Sequence, residues 1–240
     1  MARHGSGDPA LLLLHGLGAT GEVWDGLVAV LADRWPGTVL VPDLPGHGRS
    51  APLPRYSFGS LAAAVAAGLP AGPVAVLGHS LGGVLGLTLA SGWFGVSVPA
   101  VCGLGIKVAW SRPELAKAAE LAARPAKTFG TRAEAMERTL KVAGLHGLVP
   151  AIDAGVAEVS GGWRLALDAA AFGVGAPDMP GLLAACRGTV VLASGEHDPM
   201  SPPDELRALR RDAVSMSGLG HNAHVEDPGA LWPLVAGLLP

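Results

Sequence analysis

A serine flanked by glycines, Gly78-His79-Ser80-Leu81-Gly82, follows the apolar run Val74–Leu77 and precedes a stretch of helical spacing that begins at Leu81. Strand, tight turn and helix is the setting in which a G-x-S-x-G serine serves as a nucleophile. Its hydroxyl must stand clear of the sheet on a strained backbone, and Gly78 and Gly82 let strand and helix close around it. The helix behind it turns its N-terminal N–H groups toward any negative charge that develops. In a chain with 35 glycines the five-residue pattern alone is weak, so its setting carries the argument. The competing reading is a glycine-rich turn between a core strand and a core helix.

A serine hydroxyl attacks only when a base takes its proton and a third group orients that base. His221 and Asp198 stand where such groups belong, each in a loop after an apolar run. Glu196 is an alternative to Asp198, and His224 to His221. No carboxylate follows the run Val98–Leu104, which removes a second location for the acid. Two backbone N–H groups should meet the developing oxyanion. Leu81, directly after the serine, supplies one, and Leu17, after His15-Gly16, the other. Scattered histidines without an H-E-x-x-H pattern, no G-x-G-x-x-G after a strand and no Walker sequence predict no metal and no cofactor.

Positioning these groups needs strands that end on one edge. Leu11–Leu14, Thr38–Val41, Val74–Leu77, Val98–Leu104, Thr189–Ala193 and Ala213–Met216 are short apolar runs. Helical patterns separate them over about Glu22–Asp33, from Ser57 to Gly68, from Leu81, and over Pro203–Leu209. This alternation predicts an α/β fold with a parallel, doubly wound sheet whose carboxyl edge carries the ligand site. Between 107 and 180 the rhythm changes. Helices are expected at Pro113–Ala123, Arg132–Leu145, Leu148–Ala157 and Leu165–Phe172, with no strand. The expected organisation is a single domain, with a core of 1–106 and 181–240 and an all-helical lid insertion of 107–180.

Composition sets outer bounds. A chain of 240 residues, half of them hydrophobic, can bury a large core. A formal net charge of −3, without basic clusters, predicts no nucleic-acid partner. Cys102 and Cys186 are too few for a disulfide framework and fit a reducing compartment. No secretory signal is expected from Met1–Ala10, so a cytoplasmic location is the expectation. The uncharged stretch between Arg55 and Lys107 is broken by glycines and reads as buried sheet and helix, so no membrane insertion is expected. The partner expected is a small-molecule substrate, and the protein a monomer or small homo-oligomer.

With Leu-Leu-Leu-Leu-His-Gly-Leu-Gly (11–18), Pro-Asp-Leu-Pro-Gly-His-Gly-Arg-Ser (42–50), Gly-His-Ser-Leu-Gly-Gly (78–83), Gly-Glu-His-Asp-Pro (195–199) and Gly-His-Asn-Ala-His-Val-Glu-Asp-Pro (220–228) in this order, the chain resembles the α/β-hydrolase superfamily, in its small, lidded, esterase-like branch. The resemblance implies a mostly parallel, eight-stranded sheet, a triad of Ser80, Asp198 and His221, and no cofactor. It places Asp43 and Arg49 in a structural loop near the oxyanion side and Met200 at the pocket wall. The implied reaction is hydrolysis of a small or medium ester or lactone through an acyl-serine. Carbon–carbon bond hydrolysis or a lyase reaction on a biosynthetic metabolite, and a ligand receptor on a hydrolase fold, are the alternatives. Trp24, His79, Trp110, His146 and Trp163 join Met200 as pocket candidates. The competing reading for the aromatics is helix packing, and for His79 packing beneath the strand end.

Overall fold

The computed structural model describes residues 1–240. In chain order the elements are β1 (Ala2–His4), β2 (Ala10–Leu14), α1 (Asp25–Leu31), β3 (Val39–Val41), α2 (Phe58–Ala67), β4 (Val74–His79), α3 (Leu81–Ala90) and β5 (Ala100–Leu104). Then come α4 (Arg112–Ala122), α5 (Arg132–Val142), β6 (Val156–Val159), β7 (Gly162–Leu165) and α6 (Met179–Ala185). The chain closes with β8 (Thr189–Gly195), α7 (Pro203–Leu209), β9 (Val214–Met216), α8 (Ala223–Glu226) and α9 (Trp232–Ala236). The main sheet runs β1-β3-β2-β4-β5-β8-β9, parallel throughout except for β1, which pairs antiparallel with β3.

The period of a strand decides which side of the sheet each leucine serves. Leu11 and Leu13 point into one core with Trp24, Leu27 and Val235. Leu12 and Leu14 point into the other with Leu61, Leu85 and Leu87. All five residues of β2, all six of β4 and all ten of α3 are buried, as expected of central elements covered on both faces. Helix α2 starts where Ser57 caps it, in a capping box closed by Ser60.

Two expectations are corrected. The sheet has seven strands rather than eight. β1 is the edge strand, paired only with β3, and no further strand lies outside it. The 107–180 segment is also not all-helical. Residues 156–165 form an antiparallel hairpin, β6–β7, with Val159 opposite Gly162 across the two-residue turn Ser160-Gly161. That turn chemistry between short apolar runs was the available signal, and it outweighs the helical reading of 148–157 and 165–172. Only short 3-10 turns stand beside the hairpin, at Asp153–Gly155 and Ala169–Val174.

Close approach at the β4–α3 junction sets the geometry for everything above it. A Cβ on Gly78 would lie 2.1 Å from the Gly82 carbonyl oxygen, and one on Gly82 would lie 2.2 Å from that of Leu14. Both contacts are with backbone, which cannot swing aside. Gly82→Ala is expected to cost about 2–3 kcal/mol through overpacking. Thermal unfolding should register this as a fall in Tm of roughly 5–10 °C, and a Tm within about 1 °C of the parent would contradict the packing.

Candidate active site

Ser80 is the one non-glycine residue with a positive φ, at φ 51° and ψ −115°. An L-residue holds such a conformation only where its surroundings enforce it. Here the Ser80 N–H donates to the Leu104 carbonyl at the end of β5 (2.8 Å), while its own carbonyl accepts from Gly83 and Val84 as α3 begins. The hydroxyl is partly exposed and makes no hydrogen bond, within 3.5 Å, to His221 or any other group.

Asp198 and His221 come together at the carboxyl edge of the sheet. His221 Nδ1 lies 2.9 Å from Asp198 Oδ2. The other oxygen of Asp198 accepts from the N–H groups of Met200 (2.8 Å) and Ser201 (3.0 Å), and Ser201 Oγ donates to the Ile106 carbonyl. These bonds tie the loop after β8 to the end of β5. The alternatives separate cleanly. Glu196 is exposed and accepts from Ser217 Oγ and the Gly218 N–H, away from any histidine ring. His224 is buried against Trp24 and His79, and its Nδ1 has no partner.

Gly105, which sequence reasoning overlooked, is where these pieces meet. Its φ is 61°, and a Cβ there would stand 3.2 Å from Asp198 Oδ2 and 3.3 Å from both the His221 carbonyl oxygen and the His79 ring. On the opposite side, a Cβ on Gly16 would lie 3.4 Å from that of Ser80, so the loop after β2 flanks Ser80. The Leu17 N–H in that loop donates to no protein acceptor. Leu81 is the first residue of α3, where a helix N–H has no intrahelical acceptor.

The pocket candidates scatter. Met200 is exposed beside the acid, bonded to it through its N–H. His79 is buried next to Ser80 in the chain, its ring 4.7 Å from that of His221. Trp24 is corrected: it is fully buried with its ring 4.4 Å from His224, a core side chain rather than a reachable wall. His146 is exposed. Trp110 donates its indole N–H to the Lys107 carbonyl and lies under the Lys107 ammonium, and Trp163 bridges Phe129 through its main chain beneath Arg132. Asp43 accepts from the N–H groups of Gly21 and Arg49, and so stitches its loop together. Two surface clefts of about 290 and 550 Å³ lie along β1 and α1, and neither is lined by Ser80, Asp198 or His221.

The sequence matches the profile of the "Alpha/beta hydrolase family" over residues 11–233. The chain belongs to the alpha/beta hydrolase family. Among its relatives, this hydrolase is 43% identical over 101 residues to the magnesium-chelatase 30 kDa subunit of Rhodobacter capsulatus, covering 40% of this chain and 34% of that one. It is 48% identical over 91 residues to the pimeloyl-[acyl-carrier protein] methyl ester esterase of Aeromonas hydrophila, covering 37% of this chain and 34% of that one. The matched stretch therefore spans about a third of the length of each of these relatives. The solved structure of E-2-(acetamidomethylene)succinate hydrolase superposes with a TM-score of 0.76 at 25% identity, covering 98% of this chain and 93% of that one. No helix of the hydrolase is long and apolar enough to cross a membrane.

Behind the reactive groups lies a set of buried histidines. Burial, then the neighbouring His47, holds His15 down at about 3. Burial, then His221 and His15, does the same to His224, also at about 3. His79 is held well below the ordinary histidine value, first by burial and then by His224 and His221, and His47 is lowered chiefly by burial. For His15 the bonds agree: Nδ1–H donates to the Gly16 carbonyl, which can only accept, and Nε2 accepts from the Leu44 N–H. Below the ordinary value of 6.5 the unfolded chain takes up protons that the folded chain refuses. Stability is therefore fully present above pH 6.5 and falls as the pH drops toward the folded-state values. Each such ring contributes a slope of up to about 1.4 kcal/mol per pH unit. Denaturant unfolding at pH 7 and pH 5 should show a loss of several kcal/mol, on the order of 4 or more. A flat profile would show that these rings are not held neutral.

Proposed function

We propose that this hydrolase cleaves carboxylic esters through an acyl-serine intermediate, with Ser80 as nucleophile, His221 as base and Asp198 as its orienting acid. The observation that carries the reading is the His221–Asp198 pair at 2.9 Å, set at the same sheet edge as the strained Ser80 turn. Because a carboxylate only accepts, the neutral ring carries its proton on Nδ1, and Nε2 is left with a lone pair for the serine proton. Hydrogen bonds of this kind are often long without substrate and tighten on binding, which fits the unbonded Ser80 hydroxyl.

In the forward step, His221 accepts the Ser80 proton as the oxygen attacks the ester carbonyl. The N–H groups of Leu17 and Leu81 meet the oxyanion, and His221 then protonates the departing alcohol. Water attacks the acyl-enzyme by the same route in reverse, and Ser80 is regenerated. The methyl ester esterase from Aeromonas hydrophila supports an ester with a small alcohol as the substrate class.

The segment 107–180 acts as the lid in this reading. Hydrogen bonds fasten it to the core: Ala154 N–H to Glu22, Gly48 N–H to the Ala166 carbonyl, Asp168 N–H to the Gly46 carbonyl, Tyr56 OH to the Asp168 carboxylate, and Asn222 Nδ2 to the Gly144 carbonyl. By contrast, α4 has no buried residue and packs on the 3-10 turn Ala169–Val174 of the same segment.

Purified protein should hydrolyse p-nitrophenyl acetate or butyrate. Ser80→Ala should lower kcat by at least about 10³-fold while leaving the circular dichroism spectrum and Tm intact. Turnover that survives in Ser80→Ala would refute the assignment. Turnover of β-diketones with none of esters would replace the ester reading with carbon–carbon bond hydrolysis.

A further inference from the structure

The side chain of His221 is held by Asp198, but its main chain is held too, by two residues that the reaction itself does not use. His79 Nε2 lies 2.9 Å from the His221 carbonyl oxygen. A carbonyl only accepts, so Nε2 of His79 carries the proton. The ring is wedged between those of His221 and His224, with centroids 4.7 and 4.3 Å away, which stops it from turning. From the other side, the carboxylate of Glu226 straddles the same residue. Oε2 accepts from the N–H of Gly220 (2.6 Å) and Oε1 from the N–H of Asn222 (3.1 Å), the residues directly before and after His221.

We propose that Glu226 and His79 are positioning residues for the catalytic base, acting on the main chain around His221 and not on the reacting atoms. The geometry explains the need. The loop from Ser217 to Asn222 has no strand or helix of its own to fix it. An imidazole at the end of a free loop would sample positions an ångström or more apart, and a misplacement of that size costs about 10²-fold in rate. Three bonds, one to the N–H of Gly220 and two to the C=O and N–H of the peptide that joins His221 to Asn222, restrict that freedom, as outer partners do for ligands in other sites. Glu226 is itself exposed, so its removal leaves no void in the core.

This inference rests on the serine-hydrolase reading, and the experiment separates the two. The readouts are the rate at which a fluorophosphonate labels Ser80, and kcat and KM for p-nitrophenyl butyrate. Glu226→Ala should lower the labelling rate and kcat by roughly 10- to 100-fold with KM changed less than about twofold. Glu226→Gln, whose one carbonyl oxygen can still accept, should recover part of the loss, whereas the shorter Glu226→Asp should not. His79→Phe keeps a ring in the stack without its donor and should show the same kcat loss. His79→Gln, which offers an N–H at similar reach, should restore much of it. Should His79→Phe fail to fold, imidazole nitrogen spectra of the wild type decide: the Nε2–H tautomer is expected, and the Nδ1–H tautomer overturns the bond to His221. Wild-type protein that is not labelled would sink the serine-hydrolase reading and this inference with it. Wild-type protein that is labelled, with Glu226→Ala labelled at an equal rate, would overturn this inference alone.

Discussion

A single strained residue sets the terms for the rest of the molecule. Holding Ser80 at a positive φ costs about 1–3 kcal/mol. The elements on both sides of it, β4 before and α3 after, are buried at every residue. Leu77, Leu85, Leu87 and Leu89 are each fully buried, and each contributes about 1.5–3 kcal/mol on folding. That surplus offsets the strain, and the Ser80–Leu104 backbone bond holds the turn to the neighbouring strand. The sheet order follows from the same demand. With β4 flanked by β2 and β5, the loop after each flanking strand arrives beside the serine.

Packing so tight has an electrostatic consequence. Five histidines gather around the carboxyl edge, in the contacts His15–His47, His79–His221 and His79–His224. Four of them are almost fully buried: His15, His47, His79 and His224. Water cannot stabilise a charge on those four, and each disfavours charge on its neighbours. Neutral rings suit the site, since an imidazolium at His79 would stand directly against the His221 ring. The same burial ties the stability of the fold to pH.

The hydrolase core and the 107–180 segment obey different rules. In the core, burial on both faces selects unbroken apolar runs, which are legible one strand at a time. In the insertion, β6 and β7 are half-buried, four residues each, and pair with one another and, through Trp163, with the single residue Phe129. A four-residue run such as Val-Ala-Glu-Val has no period long enough to distinguish strand from helix. Its identity as a strand comes from the Ser160-Gly161 turn and from the partner opposite it. The ties from Glu22, Gly46 and Asn222 that bind the segment to the core come from residues far away in the chain.

Local chemistry was enough to read the alternation of strand and helix, the turn at Ser80, the start of a helix at Ser57, and Asp198 and His221 as candidates for acid and base. Each of these depends on neighbours within a few residues or on the order of loops at one edge of a parallel sheet. Tertiary structure alone shows that His221 and His224, three residues apart, face a carboxylate in one case and the Trp24 ring in the other. It alone took Trp24 into the core, and brought Gly105, His79 and Glu226 around the main chain of the base. The physical reason is that these roles are defined by distances between residues as much as 142 positions apart, and a linear pattern carries no record of such distances.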